Sequence, residues 1–317
     1  MTNLRHRAAA ALAVLALPLA ACSDLGSAGA ATDGRTHVLT ALYPLEYVTK
    51  QVGGEHVTVS SVTPAGVDPH DLELAPATVA KLDGATVVYL SGFQAALDDA
   101  LAVTSPAHVL DVAGPAGVHT DGDGHAADED GHADEPAGTD DGHGHTDGDP
   151  HFWLDPSRLA DVATAVAGEL ADADPEHAAD YAANAERLGT ELAALDQEYA
   201  DRLARCETRT IVVAHEAYGY LAEAYGLKQV GISGVDPESE PSPARLAQIG
   251  DVVKDQGVTT IFTESLVNPA VAESLASDLG VDVAVLDPLE TQVDQGREYP
   301  DVMRANLDAL TTAMRCS

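Results

Sequence analysis

Thr210-Ile211-Val212-Val213-Ala214-His215-Glu216-Ala217-Tyr218-Gly219-Tyr220 carries the plan of the chain in one stretch. A short apolar run rich in β-branched residues reads as a buried strand over 210–214, and a helix is expected to follow over 218–225. The strand ends on a histidine. Outward from here the pattern repeats. Towards the C-terminus, strands are expected over 228–232, 259–263 and 282–286, with helices over 243–256, 269–279 and 299–315. Towards the N-terminus, strands are expected over 38–42, 57–62, 86–90 and 108–112. Helices are expected from Leu45 and over 76–82 and 94–103. Strands alternating with helices predict an α/β fold with mostly parallel sheets.

Between these halves the sequence is Ala-rich and helical from Pro156 to Arg205, interrupted at Asp174-Pro175. Asp caps and Pro suits the first helical position. A helix over 175–205 would be about 46 Å long, enough to cross a whole molecule and join two domains. Residues 114–149 break the alternation. They hold His119, His125, His132, His143 and His145 among eleven acidic residues, with too little apolar surface to offset ordering, so disorder is expected.

Residues 1–22 read as an export signal. Arg5 and Arg7 precede a short apolar run, and Leu19-Ala20-Ala21-Cys22 ends it. The run is too short to span a bilayer, and its close on cysteine resembles a bacterial lipobox with Cys22 as the acylated residue. The alternative is an ordinary secretory signal. Residues 23–36 read as a flexible tether. Of the 317 residues, 16 are Lys or Arg and 52 are Asp or Glu, for a formal net charge of −36. That argues against nucleic acid, which needs clustered basic residues, and suits a protein that attracts cations. Cys206 and Cys316 remain. In an exported chain they are expected to pair, fastening the last helix to the start of the second domain; two free thiols are the alternative. With 4% aromatic residues, the core is expected to be mostly Ala, Val and Leu.

Outside the acidic segment, His70 lies in a loop after the 57–62 strand, His151 where order resumes, and His215 directly after a strand. Asp287 directly follows the 282–286 strand. Ligands in open α/β sheets bind beyond the carboxyl ends of strands. Three imidazoles and one carboxylate so placed form a candidate tetrahedral zinc set. A loop histidine is more often a surface or capping residue, and Asp before Pro is common at turns; the case rests on the joint placement. His215-Glu216 begins like H-E-x-x-H, but Gly219 ends the match.

Together, Asp68-Pro69-His70-Asp71-Leu72-Glu73, 149–156 (Asp-Pro-His-Phe-Trp-Leu-Asp-Pro), 215–220, Glu240-Pro241-Ser242-Pro243, Phe262-Thr263-Glu264 and Leu286-Asp287-Pro288-Leu289 resemble the zinc/manganese-specific solute-binding lipoproteins of ABC importers (cluster A-I, zinc type). The match runs from about His37 to the C-terminus. The resemblance implies two Rossmann-like lobes, 37–156 and 207–317, joined through 157–206 by one long rigid helix. The metal would sit in the cleft between them. It implies His70, His151, His215 and Asp287 as ligands, with Glu264 and Glu216 as substitutes for the fourth. A histidine at 215 points to Zn²⁺ rather than Mn²⁺, and the His-rich loop supplies auxiliary metal sites.

The function expected is capture of Zn²⁺ by a monomer anchored to the outer face of the cell membrane, or periplasmic, and its delivery to a membrane permease. A Mn²⁺ or Fe²⁺ receptor is the alternative within the family. A secreted zinc hydrolase, with water at an open fourth position, is the alternative outside it. Affinity should fall below pH of about 6.5, the ordinary imidazole pKa. Glu73 or Asp155 is expected to orient the imidazoles.

Overall fold

The computed structural model describes residues 34–118, 148–266 and 268–317. Cys22, the expected export signal and His119, His125, His132, His143 and His145 lie outside the described residues. Arg35–Ser317 forms one compact unit.

The first half runs β1 (Thr36–Thr40), α1 (Tyr43–Gly53), β2 (Val57–Ser61), α2 (Pro76–Leu82), β3 (Thr86–Tyr89), α3 (Ala95–Val103), β4 (His108–Asp111) and α4 (Ala113–Ala116). Two long helices follow, α5 (Pro156–Ala173) and α6 (Ala178–Leu203). The second half runs β5 (Thr210–Val213), α7 (Gly219–Tyr225), β6 (Lys228–Gly231), α8 (Pro243–Gln256), β7 (Thr260–Thr263), α9 (Ala270–Leu279), β8 (Asp282–Val285) and α10 (Tyr299–Ala313). The described residues contain two four-stranded sheets, ordered β2-β1-β3-β4 and β6-β5-β7-β8. Every pairing is parallel, with Val38 opposite Thr86 in one sheet and Val212 opposite Ile261 in the other. In each half the first strand lies inside the sheet, so the chain leaves it in both directions and opens a crevice at its carboxyl end. β5 and β7 are buried at all four positions, as strands covered by helices on both faces must be.

The expected strands and helices all form, with ends that shift by a few residues. The helix expected over 175–205 is α6, preceded by a 3₁₀ turn at Pro175–His177. Asp155 caps α5 by accepting from the Ser157 N–H, with Pro156 at the first helical position. α5 buries Leu159, Val162, Ala163, Val166 and Leu170, and α6 buries Leu188, Leu192, Leu195 and Tyr199. These are single apolar stripes at helical spacing. The 114–149 segment is placed at both ends: α4 buries Ala116, and Asp149 is 8% exposed.

The core is mostly Ala, Val and Leu, as the composition predicts. A few aromatic side chains are buried among them. Trp153, Tyr199, Tyr218 and Tyr299 are fully buried. Each satisfies its polar tip, as a buried indole or phenol must. Tyr199 Oη donates to Met303 O at 2.6 Å, Tyr218 Oη to Leu286 O at 2.8 Å, and Tyr299 Oη to Trp153 O at 2.6 Å. Trp153 Nε1 donates to Pro288 O at 2.7 Å, tying the halves together. A disulfide joins Cys206, past α6, to Cys316, past α10, closing 110 residues. No helix among the described residues is long and apolar enough to cross a membrane.

Candidate metal centre

Two short loops present histidines by one device. In Asp68-Pro69-His70 the Asp68 Oδ1 accepts from the His70 N–H at 2.8 Å, and in Asp149-Pro150-His151 the Asp149 Oδ1 accepts from the His151 N–H at 3.0 Å. Proline fixes the middle of each turn, and the aspartate closes it by mimicking a backbone turn. Gln94, 2% exposed, donates to Pro69 O at 3.3 Å and to Thr63 Oγ1 at 2.8 Å, pinning the first loop to the end of β2. Phe93 meets the His70 ring edge-on at 4.8 Å.

His70, His151, His215 and Glu290 each offer a ligand atom, and these atoms lie within 4.8 Å of one another. Glu290 Oε1 lies 2.7 Å from His151 Nε2 and 3.3 Å from both His70 Nε2 and His215 Nε2. A tetrahedral ion with bonds of about 2.1 Å needs ligand atoms about 3.4 Å apart. The group fits that size. His151 and His215 have no exposed side-chain surface. His215 Nε2 is buried with no hydrogen-bond partner, since its 3.3 Å approach to Glu290 is an ion-pair contact without hydrogen-bond alignment. A buried polar atom left so costs about 1–3 kcal/mol, and a cation among these four atoms would satisfy it.

The ring nitrogens facing away are held by carboxylates. Asp149 Oδ1 lies 2.8 Å from His151 Nδ1, and Glu264 Oε1 lies 2.7 Å from His215 Nδ1. Such partners fix the tautomer that turns Nε2 to a metal. Electrostatics follow the geometry. Burial lowers the His215 pKa, but the Glu264 carboxylate at Nδ1 and the Glu290 carboxylate facing Nε2 outweigh it and push it up to about 10. Burial likewise opposes, and Asp149 and Glu290 outweigh it, to raise the His151 pKa. Burial alone would raise the Glu290 pKa; the imidazoles of His151, His215 and His70 around it take it well below the ordinary range. Metal-free, the site stores protons that a cation must displace.

The fourth position departs from the sequence reading. Asp287 is not in the group. Its Oδ1 accepts from the Leu289 N–H at 2.8 Å, and Asn306 bonds both polar atoms of its backbone. Asp287 therefore closes a turn, the bland role that Asp-Pro predicts. Leu289 then takes a left-handed φ of 60°, and the reversal brings Glu290 to the three imidazoles. Of the two substitutes, Glu264 stands behind His215, and Glu216 pairs with Arg245 at 3.0 Å. Glu290 was missed because no strand end or proline marks it. Asp-Pro at 287–288 is itself a turn signal, and Glu290 is the next acid along the chain. Asp155, expected behind an imidazole, instead caps α5 and pairs with Arg158 at 3.3 Å.

The group straddles the two halves. His70 and His151 come from the first, and His215 and Glu290 follow β5 and β8 of the second. Bonds across the cleft hold it closed: Tyr220 Oη to Asp149 O at 3.2 Å, Gly66 N–H to Thr291 Oγ1 at 2.9 Å, and Tyr43 N–H to Glu290 O at 3.4 Å.

Residues 38–313 match the family model of ZnuA, the periplasmic component A of a zinc-uptake complex. The chain belongs to the ZnuA family. It is 32% identical to the high-affinity zinc uptake system protein ZnuA of Bacillus subtilis over 311 residues, 96% of each chain. It is 34% identical over 308 residues to the zinc-binding lipoprotein AdcA of Streptococcus pneumoniae, covering 93% of this chain but only 58% of AdcA. The chain thus spans little more than half of that relative. Among solved structures it resembles the Zn(II)-bound ZnuA-like domain of S. pneumoniae AdcA, with a TM-score of 0.70 and 30% identity over 89% of this chain and 99% of that one. The ZnuA-family fold is thus the two-lobed α/β arrangement described above.

Proposed function

We propose that this ZnuA-family chain captures Zn²⁺ outside the cytoplasm and delivers it to an ABC-type permease, with His70, His151, His215 and Glu290 as the ligands. The observation that carries the reading is His215 Nε2: a buried nitrogen without a hydrogen-bond partner, facing a carboxylate shared with two further imidazoles. Three imidazoles favour Zn²⁺ over Mn²⁺, which prefers oxygen ligands. Glu290 completes four protein ligands, whereas a catalytic zinc keeps a position open for water; this supports a receptor over a hydrolase. Lipidation of Cys22 would hold the receptor at the membrane, and His119, His125, His132, His143 and His145 would add weaker metal sites near the cleft.

The test is metal analysis of protein purified without chelator, with competition between Zn²⁺ and Mn²⁺. One tightly held Zn²⁺ that excess Mn²⁺ does not displace is the expected result; preference for Mn²⁺ would overturn it. Excising 119–147, which spares Asp149, should leave that tight site intact.

A further inference from the structure

Gly219 is the first residue of α7, where glycine is a poorer helix former than alanine. Its φ is not in the left-handed region, so the backbone does not require glycine there. What requires it lies across the cleft. A Cβ at 219 would stand 2.4 Å from Asp149 Oδ2. An aspartate tip can often swing aside, but this one is held. Its Oδ1 takes the His151 N–H at 3.0 Å and sits 2.8 Å from His151 Nδ1, its carbonyl takes the Tyr220 hydroxyl at 3.2 Å, and the residue is 8% exposed. Moving Oδ2 away from residue 219 rotates the carboxylate that holds the His151 ring.

We infer that Gly219 is a positioning residue for the metal centre: its missing side chain is the space that lets Asp149 of one lobe seat against α7 of the other and fix His151 toward the cation. It acts through Asp149 and touches no metal. The glycine is then a cost to α7 accepted for the site, which predicts opposite effects of one methyl group on helix and ligand. This inference rests on the zinc-binding reading proposed above.

The test is a double-mutant cycle of Gly219→Ala with Asp149→Ala, using the full chain. Zn²⁺ affinity is read by competition with a chromogenic chelator, and the Co²⁺ absorption spectrum reports ligand geometry. Wild-type protein is expected to bind tightly. Gly219→Ala should weaken binding by about 10–100-fold, the usual loss for an outer-shell partner, and alter the Co²⁺ bands, while the metal-free unfolding midpoint is unchanged or raised. In the Asp149→Ala background, where the methyl has room, Gly219→Ala should change neither readout. Unaltered affinity in Gly219→Ala, or losses that add fully in the double variant, would overturn the inference while leaving the zinc reading standing. Wild-type protein without tight Zn²⁺ binding would overturn both.

Discussion

Oε1 of Glu290 and Nε2 of His151 lie 2.7 Å apart, each from a different lobe and each nearly without exposed surface. A carboxylate directly after the turn that Asp287 closes beyond β8 thus reaches imidazoles that the first lobe presents. Glu290→Gln should lower Zn²⁺ affinity by more than the roughly 10–100-fold typical of an outer-shell change. Asp287→Asn keeps an oxygen that can accept the Leu289 N–H and should bind Zn²⁺ within about 3-fold of wild type. Chelator competition on both variants checks this; equal losses would return Asp287 to the ligand set.

Zinc binding should release protons at neutral pH. The folded His215 pKa, about 10, stands above its unfolded value of about 6.5. In metal-free protein its contribution to stability is complete below about pH 6.5 and is lost as pH rises through about 10. A cation has to displace that proton, so affinity should climb by at least about one decade per pH unit across this window. The window lies above the one an unperturbed imidazole would give, because Glu264 and Glu290 favour the charged ring. Glu290 has the opposite sign: its folded pKa is depressed, so its contribution is present above about pH 4.5 and fades as pH falls. Calorimetry in buffers of different ionisation heat measures the count, and no release at pH 7 would contradict it.

Glu264→Gln should weaken Zn²⁺ binding by about 10–100-fold and also move the pH window down, since it removes the negative charge 2.7 Å from His215 Nδ1. Affinity titrations against pH separate the two effects. A weaker site with an unmoved window would show that Glu264 acts on the ring's position alone.

Much of the fold was legible because strands and helices announce themselves by different apolar periods. The run at 210–214 and the Asp-Pro-His turns needed no tertiary information. The candidate group was legible up to its three histidines, which the fold brings together, and then the sequence ran out. Asp287 and Glu290 both follow β8, and only the backbone at Leu289 decides which one turns inward. The placement of Glu264 and Asp149 behind the His215 and His151 rings was equally hidden, because a carboxylate behind a ring leaves no spacing in the sequence. Gly219 carries no sequence signal for its contact with Asp149 beyond ending the H-E-x-x-H match and lying in the 215–220 segment.

Replacing Cys206 and Cys316 with serine should lower stability by about 2–5 kcal/mol, because the bridge closes a loop of 110 residues in the unfolded chain. Urea denaturation checks it. Occupancy of the tight site should be unchanged, since neither cysteine belongs to the His70, His151, His215 and Glu290 group.

Trp153 is the single tryptophan of the chain. Its ring packs 5.2 Å from that of His151, and its N–H is spent on the far lobe. The molecule therefore carries a native optical gauge at its joint. Indole emission comes from one place, and parting of the lobes would wet that ring and redden its light. Opening and closing can be timed by stopped flow on unlabelled, unaltered protein.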